Sequence, residues 1–407
     1  MSPVLVLVGL LVLSYAGSFL AGGRTLRGAG LPSSVEYAVL GFLLGPHVLG
    51  IVGNDLVSTF EPLAQVALGW LALVIGLDFG WTGTRRASLG SMTLGLASGA
   101  LTGAAVAASV WFYATKLRGE PIDVPHVLVA GGVGAAAAET TRHAIRWATE
   151  SQGADGKLTR RLLDFAHAGD LVPLLATSVL FALAPVTLSR DKSVPLWAWV
   201  AVTIGLGIVL GMMTAVHIGR ELRVAQTWGV LLGTSVLGLG VAARLGLSVL
   251  TVLFFMGVTT AALSRHRAAL RAMVAPVERP VVLPALVLAG AHVNFRATND
   301  LAAILVLAVA ARFAAKMLFG AVLALPYRAS PTLGLGLVSS GALSMGIGLA
   351  FSMRFPGAVG DTVLAAAFVA AIAGEIVGPL TLRRVLREAG EIPVTEPATG
   401  EAAGEAP

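Results

Sequence analysis

The sequence predicts an all-α polytopic membrane protein of about thirteen transmembrane helices, built as inverted six-helix repeats with two discontinuous crossing helices at spans five and twelve. Three observations carry this. The chain has 407 residues, 56% of them hydrophobic and 12% charged, with a mean hydropathy of +0.84, whereas about a quarter of a soluble domain is charged. Its apolar residues fall into runs of bilayer length, and its Lys and Arg cluster between those runs in an alternating bias.

A spanning helix needs about 20 mostly apolar residues. Runs of that kind lie at approximately 3–21, 32–52, 60–80, 88–115, 124–149, 162–185, 195–217, 225–243, 246–264, 280–295, 300–325, 331–353 and 359–382. The first has no positively charged leader and no small-residue cleavage pattern, so it reads as a retained span. Together these runs make a transmembrane domain over 1–390. The Glu-, Pro- and Gly-rich segment 391–407 reads as a disordered cytoplasmic tail.

Under this count most Lys and Arg fall on one side of the membrane, including Arg85, Arg86, Arg142, Arg146, Arg383 and Arg384. That side is then cytoplasmic, which puts the N-terminus outside and the C-terminus inside, in a bacterial-type inner membrane. Only Arg312 and Lys316 are left within a span. The net charge of +6 is scattered between apolar runs, so nucleic-acid binding is excluded. No cysteine is present, and there is no G-x-S-x-G, H-E-x-x-H or G-x-x-x-x-G-K, so thiol chemistry and the common hydrolase and nucleotide sites are excluded. The chain reads as a non-enzyme that needs no cofactor.

The two halves echo each other. Gly169-Asp170-Leu171-Val172-Pro173-Leu174 lies in span six, and Gly374-Glu375-Ile376-Val377-Gly378-Pro379-Leu380 lies in the oppositely directed span thirteen. Span five carries Gly131, Gly132 and Gly134 ahead of Glu139-Thr140-Thr141. Span twelve carries Gly334, Gly336 and Gly341 around Ser339-Ser340. Glycine-rich interruptions at corresponding positions of two inverted halves mark broken helices that meet near the midplane, although small residues also serve close helix packing.

Asp170 is the residue that most needs a reason. It lies about eight residues into span six, roughly 12 Å deep at 1.5 Å per residue in a hydrocarbon core of about 30 Å. A carboxylate there persists only with a partner, water or a function. It binds a proton or a dehydrated monovalent cation, and that competition is sufficient for exchange. Pro173 removes a backbone N–H beside it and frees a carbonyl. Lys316, with Arg312 one turn away, is the expected salt-bridge partner. Glu139, with the Thr140 and Thr141 hydroxyls, reads as a second acidic ligand or as the partner of Arg142 or His143. Glu375 reads as a structural acid with a possible direct role. Asp78 and Asp164, near membrane ends, read as solvated.

These residues resemble those of the monovalent cation/proton antiporter superfamily, in particular its bacterial sodium/proton and potassium/proton branch. Gly41-Phe42-Leu43-Leu44-Gly45-Pro46-His47-Val48-Leu49-Gly50 is similar to that family's GxLLGPxxLG, and Gly76-Leu77-Asp78 to its GLE. Gly169-Asp170-Leu171 resembles its QDL, and Arg312 with Lys316 its lysine-bearing span eleven. Gly334-Leu335-Gly336-Leu337 with Gly341 resembles its broken span twelve. The resemblance implies Asp170 as the ion- and proton-binding carboxylate and Lys316 as its partner. It places Thr140, Thr141, Ser339 and Ser340 in the crossing region. It also implies a homodimer in lipid, with a moving core (about 88–185 and 300–382), a scaffold (about 3–80 and 225–295) and a linking span at 195–217. Gly169 stands where relatives carry Asp, Asn or Gln, and Glu139 where they carry a small hydroxyl residue, so stoichiometry and the choice between Na+ and K+ stay open. A sodium-coupled organic-anion carrier and a non-transporting sensor or channel derivative are the alternatives for this fold.

Overall fold

A computed structural model of the chain describes residues 34–82, 85–119, 123–184, 194–219, 224–296, 298–325 and 331–392. The first expected span and the tail beyond 392 lie outside the described residues. The rest is helical apart from a two-residue hairpin ladder that pairs β1 (Trp81–Thr82) with β2 (Arg85–Arg86). Eight described helices are long and apolar enough to cross a membrane, and a ninth crossing is a pair bent by 57°. Every expected span from the second to the thirteenth coincides with helical structure, and among the described residues up to nine of these meet the length and hydropathy of a full crossing.

Several expected spans are shortened, divided or shifted, for physical reasons. Span two keeps only nine helical residues, α1 (Glu36–Leu44), because Gly45 and Pro46 end the helix and turns follow. α2 (Asn54–Thr59) is a short connector, and α3 (Glu61–Asp78) is buried along most of its length. Span four is α4 (Leu89–Phe112) with a π-turn at its end (Tyr113–Leu117). Span five divides into α5 (Val124–Ala138) and α6 (Arg142–Gln152), and span six into α7 (Lys157–Gly169) and α8 (Leu171–Leu183). Then come α9 (Leu196–Ile218), α10 (Val224–Leu245) and α11 (Val249–Leu263), the last only fifteen residues long. α12 (Arg267–His292) begins well before the expected 280, because its first turns carry Arg271, Glu278 and Arg279 and so escape a hydropathy window. α13 (Leu301–Ala324) precedes a 3-10 helix (Pro331–Leu337), α14 (Ala342–Arg354) and α15 (Ala358–Glu388).

The helices pack as two groups. α3 lies against α11 and α12, α1 against α12, and α9 and α10 against α11. The other group brings α4, α5, α7 and α8 together with α13, the 3-10 helix, α14 and α15. Approach within a group is backbone to backbone: a Cβ on Gly41 would stand 1.9 Å from the Val287 carbonyl oxygen, and one on Gly290 1.8 Å from that of Ala38. Helices in lipid gain little from apolar burial, so such close van der Waals contact is a main source of association. The groups meet where α3 and α12 face α14, and where α9 and α11 face α8.

Candidate ion-binding site

The two broken spans cross at their breaks. α5 stops at Ala138 and α6 starts at Arg142, with Glu139, Thr140 and Thr141 non-helical between them. The 3-10 helix stops at Leu337 and α14 starts at Ala342. Thr141 N–H donates to the Ser339 carbonyl at 3.1 Å, and the Thr140 hydroxyl to the Leu337 carbonyl at 3.3 Å. Hydroxyl side chains that compete for backbone groups favour such a break, and Thr141 also caps α6, accepting from His143 N–H at 3.3 Å. Four helix ends therefore converge in the protein interior. Two expose carbonyls and two expose N–H groups, carrying opposite partial charges.

Fixed side-chain charges complement each kind of end. Arg312, fully buried on α13, donates to the carbonyls of Ala137 (3.1 Å), Val338 (2.7 Å), Glu139 (3.0 Å) and Ser339 (3.3 Å). Lys316, one turn on, reaches the Ala138 carbonyl at 3.4 Å and the Thr140 hydroxyl at 2.5 Å. The negative ends thus meet two cations. On the positive side, Glu139 Oε2 accepts from Gly341 N–H (3.0 Å), Ser344 N–H (2.7 Å) and the Ser340 hydroxyl (3.3 Å). Glu139 is the anion at the start of α14, and its carboxylate goes neither to Arg142 nor to His143.

α15 closes over this crossing through two glycines that mark the echo motif. A Cβ on Gly378 would stand 2.0 Å from Ser339 Oγ, and one on Gly374 2.8 Å from Ser340 N. Glu375, between them, is buried. α13 and the 3-10 helix touch as closely, since a Cβ on Gly334 would stand 2.1 Å from the Lys316 carbonyl oxygen.

Asp170 sits at the joint between α7 and α8. Pro173 has no N–H to offer the Gly169 carbonyl, so the regular ladder lapses at this point. The side chain is 4% exposed and faces a cavity of about 20 Å³, shared with Glu139, Thr141, Arg142 and His143 and closed by Leu71 and Ile75 of α3. A cavity of that size holds about one water-sized particle. Among the described residues no ion pair to Asp170 forms within 4 Å; Lys316 and Arg312, expected as its partners, are committed to the crossing instead.

The cation that does line the Asp170 cavity is Arg142. Its Nη1 lies 3.4 Å from Asp78 Oδ2, and Arg146 Nη2 lies 3.6 Å from the same atom. Arg271 of α12 also pairs with Asp78. His143 Nε2 stands 3.8 Å from Glu278 Oε1. Asp78 and Asp164, expected to be solvated, are both buried. Asp164 accepts from Arg85 Nη2 at 2.7 Å and from Ser88 N–H at 3.3 Å. Hydropathy places a residue by its distance along a span, and these two lie close enough to span ends for that measure to call them wet. The available sequence signal was Arg142 itself, a guanidinium directly after an apolar run and two threonines.

Two half-helices crossing around buried charges in a polytopic bundle define a secondary-carrier architecture. The chain belongs to the transmembrane sodium/hydrogen exchanger family, which it matches over residues 12–388; this is a family of transporters, not enzymes. Two solved structures of the sodium proton antiporter MjNhaP1 from Methanocaldococcus jannaschii share the fold. The one at pH 8 aligns with a TM-score of 0.71 and 15% identity over 93% of this chain and 98% of that one. The other, from electron microscopy, aligns with a TM-score of 0.67 and 16% identity over the whole of both chains. No curated protein matches the sequence.

Proposed function

We propose that this membrane protein exchanges a monovalent cation, Na+ or K+, for protons by alternating access, with Asp170 as the carboxylate that binds the two in turn. The observation that carries this reading is a buried carboxylate with no ion-pair partner among the described residues, facing a cavity of about 20 Å³ beside the helix crossing. Such a group is stable in a membrane interior when protonated or when neutralised by a cation. One ligand must leave before the other binds, so movement of the occupied site couples the two fluxes.

The packing supports a division into a moving core, which holds the crossing and Asp170, and a scaffold around α3 and α12. Along their boundary lie two further cavities, one touching α3 at Leu71 and the other at Gln65 and Leu68. One, of about 30 Å³, shares Leu71, His143 and Ala342 with the Asp170 cavity and adds Glu278 and Arg279. The other, of about 240 Å³, is lined by Gln65, Leu68, Phe181, Met353 and Arg354. These are the proposed cytoplasmic and external approaches, in an inner-membrane protein with its C-terminus inside. The matched breaks in spans five and twelve favour inverted repeats, and a homodimer follows from the family resemblance. Arg312, Lys316 and Glu139 then serve as fixed charges that hold the crossing, with Thr141 and Ser340 beside the ion path.

Reconstituted in liposomes with an imposed pH gradient, the protein is expected to dissipate the gradient on addition of Na+ or K+. Asp170→Asn is expected to abolish that response with the fold retained. Exchange that persists in Asp170→Asn would overturn the assignment.

A further inference from the structure

The pairing of Arg142 with Asp78 is not required by the exchange reaction, and its location is informative. Arg142 is the first residue of α6, in the group that holds Asp170, and Asp78 ends α3 in the other group. The Arg142 side chain is 3% exposed, and among the described residues neither its Nη1 nor Asp78 Oδ2 has a hydrogen-bond partner. The ion pair is thus long, desolvated and under-satisfied, unlike the contacts of Arg312. Buried charges held this way are costly, and a guanidinium that loses one carboxylate there needs another. The same guanidinium lines the cavity of the other nearby carboxylate, Asp170.

We propose that Arg142 is a tethered cation that gates the Asp170 site. Held by Asp78, it leaves Asp170 open to a transported cation and latches the core to the scaffold on the cytoplasmic side. Released from Asp78, it neutralises Asp170 itself and competes with that cation. The charged groups facing Arg142 are Asp78, Glu278, Arg146 and Arg271 around the latch, and Glu139 and Asp170 across the cavity. Arg146 and Arg271 repel Arg142 at Asp78 and oppose the attraction of Asp78 and Glu278, which weakens the latch.

This inference rests on cation binding at Asp170, and its test separates it from the antiport reading. Half-saturating Na+ and K+ are measured twice, by cation-induced thermal stabilisation of purified protein and by exchange in liposomes, for wild type, Arg142→Gln, Asp78→Asn, the double variant and Arg142→Lys. Arg142→Gln is expected to lower the half-saturating concentration about tenfold, equivalent to about 1.4 kcal/mol. Asp78→Asn, which frees the guanidinium to occupy Asp170, is expected to raise it. The double variant should behave like Arg142→Gln, and Arg142→Lys should stay near wild type. An ion pair with only a packing role would move both single variants in the same direction, and that result, or no change in folded Arg142→Gln, would overturn the gate. Opposite shifts in cation binding without proton movement would uphold the gate and sink the antiport reading. Proton exchange with an unresponsive Arg142→Gln would do the reverse. Wild-type protein with no cation response in either assay would overturn both.

Discussion

The crossing and the Asp170 cavity lie side by side and hold buried charge in opposite ways. At the crossing, Arg312 makes four hydrogen bonds to backbone carbonyls and Glu139 receives three donors. At the cavity, Asp170 has no ion-pair partner among the described residues, and Arg142 is held by one long contact. Fully satisfied buried groups fix a geometry, whereas under-satisfied ones keep alternatives within reach. The first region is therefore held in one geometry, and in the proposed exchange cycle the second is the one that changes its partner.

Substitutions that break one region and spare the other sharpen the contrast. The largest effect expected is from Asp170→Asn, which should remove cation-driven proton flux while leaving the melting temperature close to wild type or higher, because a buried charge has gone. Arg312→Ala should do the opposite kind of damage. It orphans four carbonyls, and at about 1 kcal/mol or more each the loss is roughly 4 kcal/mol, seen as poor yield of monodisperse protein. Arg312→Lys should restore little of it, since a lysine lacks the planar fork. Glu139→Gln keeps hydrogen-bonding capacity but removes the charge at the α14 N-terminus. A loss of about 1–2 kcal/mol should appear as a lower melting temperature in detergent, with exchange retained. The smallest effect is expected at Gly169. A Cβ there would meet only the Gly95 carbonyl oxygen, at 3.9 Å, so Gly169→Asn should fold normally. Its added oxygen should lower the half-saturating cation concentration a few-fold, which a titration of exchange against Na+ and K+ would show.

Much of this is legible in the sequence. Asp170 stood out because one acid in an apolar run is a conspicuous event, and the two breaks announced themselves through Gly131, Gly132, Gly134, Gly334, Gly336 and Gly341. Partners were harder. Lys316 looked like the natural mate of Asp170, since they are opposite charges inside spans, yet an intramembrane cation is equally suited to helix C-termini, and the crossing supplies several carbonyls at once. Glu139 meets Ser344 across more than two hundred residues of chain, and Asp78 meets Arg142 from another helix group. No periodicity encodes such pairings, because they depend on which helix ends the topology brings together. The early start of α12 was hidden for a related reason: its polar first turns face Asp78 and His143, not lipid.

In the proposed mechanism protons and cations compete for one carboxylate, and the most direct measurement is the half-saturating Na+ or K+ concentration for exchange as a function of pH. As pH falls, protons fill Asp170 and the apparent cation affinity must drop. Once protonation dominates, the half-saturating concentration should rise about tenfold for each unit of decrease. A half-saturating concentration that stays constant across the acid limb, with only the maximal rate changing, would show that proton and cation bind at separate sites and would contradict the account.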